Sequence, residues 1–385
     1  MPTSRKPSKE SKVFTKTRDF IRKFVVLDDD QLNVCAVWVI GTWTFSPAAP
    51  AMPYTYPYLY INGPSGSGKS TLGEQVFRSI CRQPEAFAGA TGASMFRLMG
   101  DYDEETGQIV PNHATLLVDE IDATYNGAKD ESNRQVFNIG YRQGMTVPRS
   151  GPGGKGSMRF PVFGPKALMG IDNGHLPDTV LNRALRITMT MASAEEAAEL
   201  TPFFPWNVDE EAAELQEEMA QWAKEHAQVL REYEPKQGKL RNRQWEISRS
   251  LVQLAHALGV EREVHSSIQS LFERAQSLEP MKVRMYRAVF ELFEKTGCDK
   301  HASRTIHAAV TDAGVNIENM LLMSYRFKED GLPESSYLAI NDPNHPDFIP
   351  SGRPKPPGKT QKGYWRHHFD DAFARYLADE DGIIG

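Results

Sequence analysis

Eight consecutive residues have the types and the spacing of a phosphate-binding loop. They match the pattern G-x-x-x-x-G-K-[ST] at every defined position, and they are Gly63, Pro64, Ser65, Gly66, Ser67, Gly68, Lys69 and Ser70. Glycines in such a loop allow backbone N–H groups to surround a phosphate, and the following helix presents its positive N-terminus. We therefore expect these residues and the adjacent Thr71 to bind a nucleoside triphosphate, with the Lys69 ammonium on the β- and γ-phosphates.

Two carboxylates later in the chain have the position expected for a magnesium site. Asp119 and Glu120 directly follow the apolar segment 114–118, which has the composition of a buried parallel strand. A carboxylate at the C-terminal end of such a strand can hold Mg²⁺, so we predict Ser70 and Asp119 as the metal-binding pair. The alternative is that Asp119 and Glu120 only cap a helix.

Glu120 is also a candidate for the general base that activates water. A glutamate at this place usually has that role in P-loop enzymes of one class. In this class, an extra strand lies in the sheet between the strand that precedes the phosphate-binding loop and the strand that ends at the magnesium-binding carboxylate. We expect residues 87–90 to form this extra strand, which would place the chain in the additional-strand class of P-loop NTPases.

Asn173 follows another predicted buried strand, at residues 167–171. A polar side chain at that place can hold the attacking water against the γ-phosphate, so we predict a catalytic sensor role for Asn173. The sequence Asp172-Asn173-Gly174 also has strong turn chemistry, and a simple turn is the alternative.

Arg183 and Arg186 lie at the start of the last predicted strand, at residues 185–189. Ring ATPases offer an arginine at this place to the nucleotide of a neighbouring subunit, where it neutralises developing charge. We favour Arg183 as this arginine finger, and an ordinary surface salt bridge is the alternative.

Strands alternate with helices between residues 25 and 192, which predicts an α/β fold with an open, mostly parallel sheet. Residues 193–279 are acidic and helical in pattern. The predicted organisation is therefore a basic flexible arm at 1–24, a P-loop ATPase core at 25–192, a helical domain at 193–279 and a winged-helix-like C-terminal domain at 280–385. A protein-docking module would have the same sequence features as this last domain.

The composition limits the classes of function. A net charge of −6 over 385 residues means that nucleic acid could be bound only through local basic patches. The three cysteines are too few for a disulfide framework, which favours a reducing cytoplasm and packed thiols. The N-terminus has basic residues without an apolar core segment, and the apolar run 34–45 is too short to span a bilayer, so we expect no membrane segment.

Several strings together resemble one family of AAA+-like ATPases of unknown function, which is found at the C-terminal end of phage, plasmid and mobile-element primase-helicase proteins. The strings are TLLVDEID at 115–122, NIGYRQG at 138–144, FPVFGPKALMG at 160–170, LPDT at 176–179 and the closing segment 362–376. The resemblance covers residues 30–378. It implies an ATP- and Mg²⁺-dependent, helicase-like motor that acts on DNA as a ring of identical subunits.

Two features differ from that family. The family usually has a simpler turn where this chain has residues 172–174, which weakens the sensor assignment. No primase segment precedes the ATPase core, so a separate primase or replication protein is an expected partner. If the protein is phage-encoded, its compartment would be the cytoplasm of a bacterial host.

Lys155 and Arg159 are the candidate contacts to single-stranded DNA. They lie in the glycine-rich segment 149–159, where helicases of related architecture project a hairpin into the channel of the ring. A flexible loop with incidental charges is the competing interpretation. Phe96 and Arg97 are a second candidate pair, although a phenylalanine in the position of Phe96 is more often a core residue.

Two other functions remain open. The first is a switch-type ATPase that loads or remodels a protein partner without unwinding DNA. The second is a small-molecule kinase, which is disfavoured by Asp119-Glu120 and by the long helical tail. No Asn-Lys-x-Asp string that would select GTP is present, so we expect ATP.

Overall fold

The computed structural model describes residues 11–47, 49, 51–88, 92–121, 131–150, 157–171, 176–277, 281–313, 315, 317, 319–338, 344–347 and 361–377 of the 385-residue chain. The chain divides into two compact units, Met1–Ser277 and Leu278–Gly385. Within the described ranges, no helix is both long and apolar enough to cross a membrane.

A five-stranded parallel sheet is the centre of the first unit. The described strands of this unit are β1 (Tyr58–Asn62), β2 (Pro84–Ala88), β3 (Gly100–Asp103), β4 (Gln108–Pro111), β5 (Thr115–Asp119), β6 (Thr146–Ser150), β7 (Ser157–Pro161), β8 (Lys166–Gly170) and β9 (Ala184–Thr188). The parallel sheet has the order β2–β5–β8–β1–β9. All residues of β1 and β8 are buried, as expected of strands that are covered on both faces. The predicted α/β class with a parallel sheet is therefore confirmed.

The strand that separates β1 from β5 is not the predicted one. We expected residues 87–90 to supply it, but β2, which includes Phe87 and Ala88, lies at the edge of the sheet outside β5. The separating strand is β8, which pairs with β1 on one side and with β5 on the other. Parallel strands joined by long crossovers can be placed in any order, so proximity in sequence was a poor guide to proximity in the sheet.

Helices cover both faces of this sheet. They are α1 (Lys12–Arg22), α2 (Asp29–Thr42), a π-helix (Thr71–Phe77) that continues into α3 (Arg78–Ile80), α4 (Gly92–Leu98), α5 (Glu131–Ile139), α6 (Asp178–Leu181), α7 (Ala194–Glu199), α8 (Pro205–His226), α9 (Val229–Glu232), α10 (Asn242–Ala257) and α11 (Glu261–Ser277). Asp28 and Gln31 form a capping box at the start of α2. Cys35 in α2 and Cys81 after α3 are unpaired and buried, as predicted for packed thiols.

Residues 12–22 form a helix rather than the predicted flexible arm. Val13, Phe14, Phe20 and Ile21 are buried on one side of α1 and belong to the main core cluster. Lys16 and Lys23 pair with Glu218 and Glu211 of α8, whereas Arg18 and Arg22 both pair with Asp29 of α2. The apolar spacing of the helix fixes it to the core.

The helices of residues 193–277 share a core with the sheet. Val208, Leu215 and Met219 of α8 belong to the same buried cluster as Leu59 and Ile61 of β1. These helices therefore lie in one compact unit with the sheet.

The second unit combines helices with a small antiparallel sheet. Its elements are α12 (Met281–Thr296), β10 (Lys300–Ala302), α13 (Ser303–Asp312), α14 (Met320–Glu329), β11 (Ser336–Leu338), β12 (Gln361–Trp365), a 3₁₀-helix (Arg366–Phe369) and α15 (Asp370–Tyr376). The strand order is β10–β12–β11. Its core is rich in aromatic residues, among them Tyr286, Phe327, Tyr364 and Phe369.

Candidate functional site

The loop 63–70 lies at the carboxyl end of β1 and leads into the π-helix. A Cβ atom on Gly63 would lie 2.4 Å from the carbonyl oxygen of Met189 and 2.8 Å from Ser67 Oγ, so only glycine fits there. Gly66 and Gly68 have φ angles of +82° and +88°, which are unfavourable for other residues. The spacing of the glycines thus matches the backbone conformation of the loop.

The side chain of Lys69 folds back over this loop. Its Nζ donates hydrogen bonds to the carbonyl oxygens of Gly63 at 2.8 Å and Pro64 at 2.7 Å. The ammonium therefore bridges the two ends of the loop and places a positive charge within the turn formed by its backbone. That is the position from which it could contact a bound phosphate.

The two predicted metal ligands are in direct contact. Ser70 Oγ donates a hydrogen bond to Asp119 Oδ2 at 2.9 Å, across 49 positions of sequence. Ser70 ends the loop after β1, and Asp119 is the last residue of β5, so the contact lies at the carboxyl edge of the parallel sheet. A hydroxyl and a carboxylate at this spacing could share one Mg²⁺ ion.

Glu120 lies next to this pair in a strained backbone conformation. Its φ angle is +50°, and its backbone N–H donates to Asp119 Oδ1 at 2.8 Å. A left-handed conformation in a residue with a side chain costs on the order of 1 kcal/mol or more, and such strain is typical of functional positions. The side chain is exposed and therefore accessible to water.

Glu74 was not predicted and adds a third carboxylate to the site. It lies one turn after Ser70, on the π-helix. Burial raises the pKa of Glu74 above its usual value, and the neighbouring charges of Asp119 and Glu120 raise it further. The four-residue spacing from Ser70 to Glu74 was the available signal, since it places both side chains on one helix face.

Asn62 was also missed, and it fixes the base of the loop. Its Oδ1 accepts a hydrogen bond from Thr188 Oγ1 at 3.0 Å, and its carbonyl accepts one from the Met189 N–H at 2.7 Å. The chain after β9 thereby runs beside Gly63. A polar residue that ends a fully apolar strand was the signal that could have identified Asn62.

Arg183 lies at the opposite edge of the sheet. The Arg183 carbonyl accepts a hydrogen bond from the Tyr58 N–H at 2.9 Å, so Arg183 lies beside the first residue of β1. The phosphate-binding loop follows the last residue of the same strand. The four steps from Tyr58 to Asn62 span roughly 13 Å at about 3.3 Å per step. Within this chain, Arg183 is therefore not brought together with Lys69 and Asp119. The alternative candidate Arg186 stacks 6.0 Å above the ring of Tyr60.

The structure describes the two ends of the predicted nucleic-acid segment, which lie in β6 and β7. Strands β6 and β7 pair antiparallel, and Arg159 is exposed opposite Pro148. Phe96 is 2% exposed and lies in the core under Arg149, so the favoured interpretation of Phe96 as a core residue is confirmed. Lys155 and Asn173 lie outside the described residues.

No protein-family model matches this chain, and no curated protein matches it. The geometry described above is therefore the basis for assigning a function to the site.

Proposed function

We propose that the protein binds ATP with Mg²⁺ at residues 63–71 and hydrolyses it. The observation that carries this proposal is the 2.9 Å contact between Ser70 and Asp119. Two motifs far apart in sequence meet there, and Lys69 directly precedes Ser70 in the loop. Together they provide the phosphate cradle, the charge and the metal ligands that triphosphate hydrolysis needs.

The strand order supports the finer assignment to the AAA+-like, additional-strand class of P-loop NTPases. In that class a strand separates the loop strand from the magnesium strand, and β8 occupies this place between β1 and β5. The glutamate after the magnesium carboxylate is then the residue that accepts a proton from the attacking water. Here that residue is Glu120, which is exposed beside Asp119.

The proposed chemistry divides among the residues as follows. Lys69 neutralises charge on the β- and γ-phosphates, and Ser70 with Asp119 would hold a Mg²⁺ ion, which would supply further positive charge to the phosphates. Glu120 takes the proton of the water as the water oxygen bonds to the γ-phosphorus, while the bond from that phosphorus to the β–γ bridging oxygen breaks and ADP leaves with the electron pair. Arg183, at the far edge of the sheet, acts on the nucleotide of a neighbouring copy in a ring.

We further propose that hydrolysis drives movement on single-stranded DNA. The exposed Arg159 on the β6–β7 hairpin supports a phosphate contact. The second unit has the element order helix, strand, helix, helix, strand, strand, which is that of a winged helix. A separate primase or replication protein would then act with this motor.

The test is ATP hydrolysis by the wild-type protein and Lys69→Ala, with and without single-stranded DNA. The matched control is Lys224→Ala, an exposed lysine on α8. We expect hydrolysis that DNA stimulates several-fold, that Lys69→Ala abolishes and that Lys224→Ala preserves. Equal hydrolysis in both lysine variants would refute the ATPase assignment.

A switch-type ATPase that remodels a protein partner is the second candidate. Helix α14 supports it, because Met320, Leu321 and Tyr325 are 44%, 83% and 48% exposed beside a cavity of about 560 Å³. Exposed apolar patches of this kind commonly bind other proteins. Hydrolysis that ignores every DNA tested would favour this second function.

A further inference from the structure

A cavity of about 530 Å³ lies between the β3–β4 hairpin and the antiparallel pair β6–β7. The two strand pairs pack closely at Gly100, where a Cβ atom would lie 2.5 Å from Ile109 Cγ2 and 2.9 Å from Pro161 Cγ. Beside Gly144, which also lines the cavity, a Cβ atom would meet no atom of the described residues within 4 Å. The cavity is therefore open on the side of Gly144, and its volume is that of a ligand pocket.

The walls of this cavity are largely apolar. They include Ile109 of β4, Met158 of β7, Met145 before β6 and Phe163 after β7. Ile109, Met145 and Met158 are half-buried, so part of each side chain faces open space. Unbranched methionine side chains adapt to the shape of a ligand, and apolar side chains of this kind can hold a flat nucleobase between them.

The imidazole of His113 adds a hydrogen-bond acceptor to one wall. Its Nδ1 lies 2.9 Å from the carbonyl oxygen of Phe163, which can only accept, so Nδ1 carries the proton. Burial lowers the pKa of His113 below its usual value, the bond to Phe163 raises it, and the charges of Arg82 and Lys166 lower it again. The ring is therefore neutral at pH 7 with Nε2 as an acceptor, and no described residue donates to that nitrogen.

The surroundings of the cavity are positively charged. The exposed Arg159 lines it, and none of its described lining residues is acidic. The buried guanidinium of Arg82 lies next to His113, where it donates to the carbonyls of Asn112 at 3.1 Å and His113 at 3.3 Å. A ligand that fits these walls has a flat body, an N–H donor and a neighbouring negative charge, and a nucleotide has all three.

We infer that this cavity binds one unstacked base of single-stranded DNA. The base lies between the side chains of Met145 and Met158 and donates an N–H to His113 Nε2, while Arg159 binds the adjacent phosphate. This inference rests on the proposed movement on single-stranded DNA, to which it adds a contact with a base. All four bases carry an N–H group on the edge that pairs in a duplex, so the cavity accepts each of them.

The experiment compares two strands of equal length and charge, each bound by the full-length protein. One is a fluorescent oligothymidylate, and the other has the same backbone with an abasic sugar at every position. We expect the wild-type protein to bind the first about tenfold more tightly, because a stacked base adds to the affinity that the phosphates supply. Fluorescence anisotropy measures both dissociation constants at one fixed salt concentration.

Two pocket variants test the contact with the base. Met145→Ala and His113→Asn should each weaken the binding of the oligothymidylate several-fold and leave the affinity for the abasic strand unchanged. Asparagine suits position 113, because its φ angle of +54° is unfavourable for most other residues. An unchanged affinity for the abasic strand also shows that both variants fold.

Two further variants serve as comparisons. Arg159→Gln should weaken the binding of both strands by the same factor, and the salt dependence of log K should become less steep by about 0.7. The matched control is Val110→Ala, because the exposed Val110 lies on the opposite face of β4 from Ile109. This control should bind both strands as the wild type does.

The outcomes separate this inference from the proposed function. Equal wild-type affinity for the two strands, or a preference that survives in both pocket variants, overturns the base pocket and leaves the phosphate contact standing. Thymidine monophosphate at an equal nucleotide concentration should not displace the strand, and displacement would assign the cavity to a free nucleotide instead. A wild-type protein that binds neither strand overturns both the pocket and the proposed action on DNA.

Discussion

Lys166 donates a hydrogen bond at 3.2 Å to the carbonyl of Gly140, the residue that precedes Tyr141. The ammonium is fully buried at the start of β8, and it also donates to the carbonyls of Val162 at 2.8 Å and Gly164 at 3.0 Å. All three of its protons are therefore used. Lys166 therefore fixes the backbone that leads from α5 into Tyr141.

Replacing Lys166 with methionine should destabilise the first unit. Burial lowers the pKa of Lys166 well below its usual value, so the charge carries a cost that methionine removes. Three buried carbonyls lose their donor in exchange, and we expect a net loss of about 3 kcal/mol in the free energy of unfolding. Urea unfolding measures it against Lys224→Met, the exposed control, and equal stability of the two variants would contradict this account.

Glu120→Gln should separate nucleotide binding from hydrolysis. The amide keeps the size of the side chain but cannot accept the proton of the attacking water. We expect kcat to fall by about 10²–10⁴-fold, with the affinity for ATP unchanged. Single-turnover hydrolysis and equilibrium binding measure the two effects, with Glu85→Gln on the exposed edge strand β2 as control. A variant that keeps wild-type kcat would assign the base elsewhere.

Glu74→Gln should lower the apparent affinity of the hydrolysis reaction for Mg²⁺. The pKa of Glu74 is raised by burial and by Asp119, and a divalent cation beside Asp119 would favour its ionised form. Removing this carboxylate should raise the Mg²⁺ concentration that gives half-maximal hydrolysis about tenfold. A magnesium titration at fixed ATP tests this, and an unchanged midpoint would show that Glu74 has no part in the metal site.

Stability of the second unit should fall as the pH drops below about 6.5, the pKa of an unperturbed histidine. Burial lowers the pKa of His301 below that value, although its hydrogen bond with Asp347 at 3.0 Å raises it. Between the two pKa values, the unfolded chain binds a proton that the folded protein does not. Stability is then lost by up to about 1.4 kcal/mol per pH unit.

Hydrogen-exchange protection of residues 281–377 at pH 7.5 and pH 5.5 measures this loss. The variant His301→Gln removes the titrating group, so its protection should depend less on pH. An equal pH dependence in the variant and the wild type would assign the proton to another group.

The sequence predicted the parts of the fold that depend on local pattern. Buried strands were recognisable as apolar runs, and the loop was recognisable because few backbone conformations can surround a phosphate. The order of strands was not predictable, because β2 and β8 are both parallel to β5 and pair with its two sides. Their places depend on crossover packing, which leaves no periodic signal.

Some contacts of the candidate site were likewise predictable from the sequence, and others were not. Ser70 and Asp119 were predicted to meet because the carboxyl ends of parallel strands share one edge. The grouping of Arg142, Arg183 and Arg243 within 5.3 Å of the centre of the Tyr141 ring was not predicted, because these arginines lie in separate segments that only the fold brings together. The burial of α1 was missed because its many basic residues concealed the apolar spacing of Val13, Phe14, Phe20 and Ile21.

The buried thiols of Cys35 and Cys81 can report how often the core of the first unit opens. Burial raises the pKa of both thiols, so neither forms the reactive thiolate while the core is closed. A thiol reagent can modify them only when α2 and the segment after α3 separate from the sheet. The rate at which these two thiols are labelled therefore depends on how often the core opens. A comparison of this rate with and without ATP would show whether the nucleotide slows the opening.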